Sequence, residues 1–152
     1  MRILASIAIA VLVTVFSSTA LRAHCQMPCG IYDDHMRIHM IEEDCNTIEK
    51  AMNEIKENTA TAKADSEVSL VAQQAVRWIM VKEEHAGKIQ ELASDYFLTQ
   101  RIKPDQPQYE QRLKLLHGIM IEAMKCKQTL DVEHVTKLRE HLAEFQKIYF
   151  AN

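Results

Sequence analysis

The sequence predicts an all-α protein, an antiparallel up-and-down four-helix bundle preceded by a short N-terminal segment dense in metal-ligating side chains. Three observations carry this. Apolar residues recur at three- and four-residue steps in four separate stretches. Only three Gly and three Pro are spread over 152 residues, too few for a turn-rich β protein. The connections between the stretches are short, which makes successive helices antiparallel neighbours. The length suffices for one domain with a real core, and eight Met supply adaptable filler between helices. A formal charge of −3 argues against nucleic acid as a partner. No Pro-rich linker, repeat or low-complexity run divides the chain.

Residues 1–23 read as a cleaved signal or targeting segment, which leaves residues 24–152 as the functional domain. Arg2 gives a positive start, and Ile3 to Phe16 is an apolar run of secretory length. A bilayer-spanning helix needs roughly 20 apolar residues, so no stable membrane anchor is expected after processing. Ser18-Thr19-Ala20 has small residues at both positions that direct cleavage, whereas Leu21-Arg22-Ala23 has one. Direct cleavage before His24, and cleavage after Ala20 followed by trimming, both stay open. The expected destination is periplasmic or extracellular. Losing Arg2 and Arg22 and no acid takes the charge from −3 to about −5.

The four helical stretches follow in order. Asp33-Asp34 can cap the first and complement its dipole. Its stripe is Ile38, Ile41, Cys45, Ile48, Met52 and Ile55, with an end near Asn58. After the small polar run 59–66, Asp65 or Ser66 caps the second. Its stripe is Val68, Val71, Ala75, Trp78, His85, Ile89, Leu92 and Tyr96, ending at Pro104 and Pro107. The third carries Tyr109, Leu113, Leu116, Met120 and Ala123, and the fourth Val135, Leu138, Leu142, Phe145 and Tyr149.

The densest chemistry lies between the leader and the first helix, in His24-Cys25-Gln26-Met27-Pro28-Cys29-Gly30-Ile31-Tyr32-Asp33. With cleavage after Ala23, His24 presents a free α-amine beside its imidazole. That amine, the Cys25 amide nitrogen and the Cys25 sulfur form two fused five-membered chelate rings. Pro28 and Gly30 allow a tight turn that returns Cys29 as a second sulfur. Two nitrogens and two thiolates favour a planar site, hence Ni(II) or Cu(II) over tetrahedral zinc.

At these residues the chain resembles the nickel-containing superoxide dismutases, whose nickel hook reads H-C-x-x-P-C-G-x-Y-[DN] at a processed terminus. Seven of its positions are present: His24, Cys25, Pro28, Cys29, Gly30, Tyr32 and Asp33. Val81-Lys82-Glu83-Glu84-His85-Ala86 and Ser94-Asp95-Tyr96-Phe97 also resemble the family. The resemblance implies disproportionation of superoxide to oxygen and hydrogen peroxide by one nickel ion per subunit, cycling between Ni(II) and Ni(III). It implies His24, Cys25 and Cys29 as metal ligands, with the His24 imidazole axial in the oxidised state. Tyr32 joins these three as a candidate catalytic residue, and Tyr96 lines the access with it. The family has an arginine on the axial histidine where this chain has His85, and the carboxylate partner falls at His39 or Glu42. The resemblance further implies a homohexamer in which neighbouring subunits cover each hook. Ile79, Phe97, Leu98, Ile102, Ile119, Ile121 and Phe150 are apolar residues offered for such contacts.

Two other readings belong to different classes. One is an exported copper- or nickel-binding or delivery protein without turnover, since such ligands hold Cu(II) more tightly than Ni(II). The other is a structural bundle in which Cys25 and Cys29 form a disulfide. Cys45 reads as a small buried hydrophobe, and a Cys45–Cys126 disulfide is open to an exported chain. His35 and His39 share a helix face, but two ligands make no convincing second site. His117, His134 and His141 have no ligand partners at suitable spacing. Lys82 reads either as a charge that attracts anions or as a solvated helical lysine. No Cys-x-x-Cys-His run is present, which excludes that form of haem attachment.

Overall fold

In the computed structural model, which describes residues 30–61 and 65–151, four long helices form the bundle that the periodicity predicts. The first, α1 (Asp34–Thr61), starts where Asp33 caps it. The Asp33 carboxylate accepts the His35 backbone N–H at 2.8 Å, and its carbonyl accepts that of Arg37 at 3.1 Å. The stripe from Ile38 to Ile55 is buried throughout.

The second helix, α2 (Asp65–Glu91), runs directly into a ten-residue π-helix, Leu92–Arg101. Its hydrogen bonds span five residues rather than four. The Ile102 N–H closes it on the Phe97 carbonyl at 3.0 Å, and the Thr99 hydroxyl donates to the Ser94 carbonyl at 2.8 Å. After the loop containing Pro104 and Pro107 come α3 (Tyr109–Gln128) and α4 (Glu133–Tyr149). Successive helices pack on one another, α1 closes the ring on α4, and the π-helix packs against α2 and α3. Among the described residues, no helix is long and apolar enough to cross a membrane.

Two stripes need correction. On α3 the buried set is Leu115, Leu116, Ile119, Ala123 and Cys126, whereas Tyr109, Leu113 and Met120 only edge the core. This helix is apolar on two sides, so spacing alone leaves its rotation open. Phe97, Ile102 and Ile119, offered above for contacts between subunits, are core residues. Ile79 is 42% exposed, and Leu70, Val76 and Met80 are exposed further. Helix lengths explain the difference. At about 1.5 Å per residue, the 28 residues of α1 reach about 42 Å and the 20 of α3 about 30 Å. The α1–α2 hairpin therefore outreaches α3 and α4, which leave the first half of α2 uncovered.

Lys82 is neither a solvated lysine nor an anion lure. It is 3% exposed, and its ammonium donates to the Cys126 carbonyl at 2.7 Å, the Thr129 carbonyl at 3.3 Å and the Lys127 carbonyl. It satisfies the carbonyls that α3 leaves open at its C-terminus. Lys82→Met keeps the apolar stem and strands those carbonyls, so it is expected to cost about 1–3 kcal/mol. The thermal unfolding midpoint reads this; an unchanged midpoint would give the three contacts no weight. Cys45 and Cys126 are buried free thiols, not a disulfide, and burial pushes them up to about 12 and about 11.

Candidate functional site

His24, Cys25, Pro28 and Cys29, like residues 1–23 before them, lie outside the described residues. The description begins at Gly30, whose φ of +79° is the left-handed conformation that the expected turn needs. A Cβ placed there would meet nothing within 4 Å. Backbone conformation, not crowding, is what asks for glycine.

Tyr32 follows at the mouth of the bundle, 40% exposed. The Arg37 guanidinium sits over its ring at 3.7 Å, and its ring centroid is 6.2 Å from that of Tyr96. The structure thus brings the two sequence-predicted tyrosines together. Tyr96 comes from the π-helix and is buried, with its ring edge-on to Phe97 at 5.1 Å.

Below them lies a carboxylate that serves three elements. Asp34 Oδ1 accepts the Arg101 Nε–H at 2.8 Å and the Tyr96 hydroxyl, while Oδ2 accepts the Tyr149 hydroxyl from α4 at 2.7 Å. Arg101 also donates through Nη2 to the Tyr32 carbonyl at 3.2 Å and to the Tyr96 hydroxyl oxygen at 2.6 Å. Burial, then the bond to Asp34, pushes the Tyr96 hydroxyl above its ordinary value, and Tyr149 moves the same way for the same reasons. Both stay protonated donors at neutral pH.

Beside Tyr32 opens a groove of about 520 Å³, lined among others by Arg37, Met40, Asp44, Tyr96 and Gln100. Asp44 is buried in its wall and meets His85 Nδ1 of α2 at 2.6 Å. Burial raises the Asp44 carboxyl above its ordinary value despite the opposing pull of His85 and Lys88. One ring nitrogen of His85 is therefore committed to Asp44. His39 and Glu42, the two positions aligned with the family's carboxylate, are exposed and 3.6 Å from each other.

The remaining histidines have ordinary partners. His35 stacks on Phe150 at 3.7 Å, His134 meets Glu122 at 2.7 Å, and His141 packs against Gly118. Burial alone would raise Glu122, but its hydrogen bonds to Lys125 and His134 hold it below the usual carboxylate range. Among the described residues no three His, Cys, Asp or Glu side chains gather as a metal site.

Sequence reasoning missed Arg101, Tyr149, Asp44 and Arg37, and gave Asp34 only a capping role. Tyr96 and Arg101 are five residues apart, and no α-helical template pairs residues at that spacing. Comparison with known proteins adds one finding: a family model described as nickel-containing superoxide dismutase matches residues 19–152. No curated protein matches the chain, and no solved structure does.

Proposed function

The chain belongs to the nickel-containing superoxide dismutase family, and from that premise we propose that its nickel is held by the processed N-terminus beginning at His24. The activity of the family is oxidoreduction of superoxide, with nickel as the cofactor. The observation that carries the finer reading is the run His24-Cys25-x-x-Pro28-Cys29-Gly30-x-Tyr32-Asp33 inside the matched span. Its donor set fits the group. A terminal amine, a backbone amide nitrogen and two thiolates suit a planar d-block site, and they are strong enough donors to bring a Ni(III)/Ni(II) couple within reach. When bound, nickel supplies a one-electron couple, so that two superoxide ions and two protons leave as oxygen and hydrogen peroxide.

The chain's own residues do the rest. Cys25 would supply sulfur and amide nitrogen, Cys29 the second sulfur, and His24 its amine and its imidazole. Tyr32, partly exposed beside the groove, is the tyrosine that a small anion would meet, and Tyr96, its ring centroid 6.2 Å away and its hydroxyl held by Asp34 and Arg101, backs it. The net charge of −3 repels such an anion in general; Arg37 sets a cation over the Tyr32 ring, whereas Arg101 is paired with Asp34. Metal analysis of the processed protein with a superoxide assay tests the reading. Tightly held copper without turnover would make this a metal-delivery protein, and an intact Cys25–Cys29 disulfide would make it a structural bundle.

Residues 1–23 export the chain, and the mature protein assembles as a closed homohexamer. The exposed apolar side chains of Val76, Ile79 and Met80, which fall on one side of α2, support assembly, because such a face is stabilised when another chain covers it. The hook, a Gly- and Pro-containing terminus, also gains order from a partner. Sedimentation of the nickel-loaded protein is expected to give six subunits; a stable, fully active monomer would refute this.

A further inference from the structure

We infer that Asp34 and Arg101 are positioning residues for the nickel ligands, a clamp that the π-helix sets in register and that fixes the point from which the hook leaves the bundle. The inference rests on the proposal that residues preceding Tyr32 hold the metal.

The grip is on backbone. Arg101 Nη2 donates to the Tyr32 carbonyl at 3.2 Å, while Nε is locked on Asp34 at 2.8 Å. Asp34 is in turn held by Tyr149 at 2.7 Å, so α1, the π-helix and α4 all converge on one carboxylate. A carboxylate that accepts from guanidinium and two hydroxyls has little freedom left, and charge-assisted bonds of this kind are the strong ones. The Tyr32 side chain, by contrast, is partly exposed beneath Arg37. What is pinned is the main chain.

Register explains the π-helix. At 3.6 residues per turn, positions five apart lie roughly 140° around an α-helix, so Arg101 would point away from Tyr96. With bonds from i to i+5 the two come onto one face, and Arg101 Nη2 reaches the Tyr96 hydroxyl at 2.6 Å. The strained register has a use: it delivers a second grip beside the first.

Reach makes the clamp matter for the metal. Cys29 stands three residues before Tyr32, and at about 3.5 Å per residue its Cα lies within roughly 10 Å of the gripped carbonyl. Gly30 has no side chain to add a restraint between them. The direction of the hook is thus set mainly from Tyr32.

The experiment compares the processed, nickel-loaded wild type with Asp34→Asn and Arg101→Ala, and with Lys82→Met as a variant destabilised far from Tyr32. Four quantities are read: nickel per subunit, the Ni(III) electron paramagnetic resonance spectrum, the split between kcat and KM, and the melting midpoint. Asp34→Asn and Arg101→Ala are expected to retain helical content and broaden or shift the Ni(III) spectrum. Their kcat should fall about 10- to 100-fold with KM little moved, the scale of a ligand displaced by an ångström or so. Lys82→Met should melt earlier with the wild-type spectrum. If Arg101→Ala fails to fold, Arg101→Lys carries the same test, because it keeps the charge beside Asp34 and loses the fork that spans Asp34, Tyr96 and Tyr32. Wild-type spectra and kcat in these variants would overturn the clamp alone. A processed wild type with no nickel at its terminus would overturn the reading beneath it as well.

Discussion

A chain carrying Cys25→Ser or Cys29→Ser is expected to hold no nickel after dialysis and to disproportionate no superoxide above background, with its helical content and melting midpoint almost unchanged. The two halves of this result have separate causes. In the proposed site nickel depends on two thiolates, and serine offers an alcohol that stays protonated at neutral pH and is a poor ligand for Ni(II). The other thiols cannot substitute. Cys45 and Cys126 are buried, and desolvation pushes them up to about 12 and about 11, so at neutral pH neither supplies a thiolate. Stability is a matter for the bundle. Within the described residues the core begins at Ile38 and continues through α4 to Phe145, with nothing from Gly30 to Asp33 in it. Metal analysis, a superoxide assay and circular dichroism read the three quantities on one sample. Full activity with nickel in either variant would end the two-sulfur site.

How much of this was legible in the sequence differs from helix to helix, for physical reasons. On α1 the predicted stripe from Ile38 to Ile55 is buried at every position, and only Met36 and Met40 among its large apolar residues stand outside it. The same holds for α4, where Val135, Leu138, Leu142 and Phe145 are buried and Tyr149 packs at the edge. On α3, Leu113, Leu115, Leu116, Ile119, Met120 and Ile121 surround more than half the helix, and packing against α2 and α4 chose the rotation. On α2 the pattern was sound as a helix signal but silent about its covering, because Val76 and Ile79 stand beyond the reach of α3.

The candidate site divides along a different line. The hook is proposed from a single ten-residue run, His24 to Asp33, whose residue types suit a metal, and its ligands lie outside the described residues. The residues that meet at Asp34 were not legible, because they converge from 62 to 115 positions away. Asp34 meets Arg101 and Tyr149 only after the whole bundle has closed. Lys82 failed for a related reason: a lysine followed by Glu83 and Glu84 reads as surface, and only the end of α3 reveals its partners. Arg101 had the weakest signal of all, since its pairing with Tyr96 needs a helix register that periodicity does not announce.

The second large effect concerns the α-amine of His24. The active protein is expected to begin at His24 and to contain 129 residues, the 152 of the chain less the 23 of the leader. In the proposed site the amine is one of four donors, and that role requires it to be terminal. Extending the chain by Leu21-Arg22-Ala23 converts it to an amide nitrogen, which is far less basic and whose proton nickel must displace. It also crowds a planar site with three further residues. An extended protein is therefore expected to lose nickel nearly as completely as the cysteine variants, although its fold is intact. His24→Ala separates the two roles of this residue. It keeps the amine, the amide and both sulfurs, so nickel should remain at one ion per subunit while most activity disappears with the imidazole. Mass spectrometry of the active species fixes the terminus, and metal content with turnover on the two variants fixes the roles. An active protein that still carries Leu21-Arg22-Ala23 would remove the amine from the ligand set, and a fully active His24→Ala would remove the imidazole from the reaction.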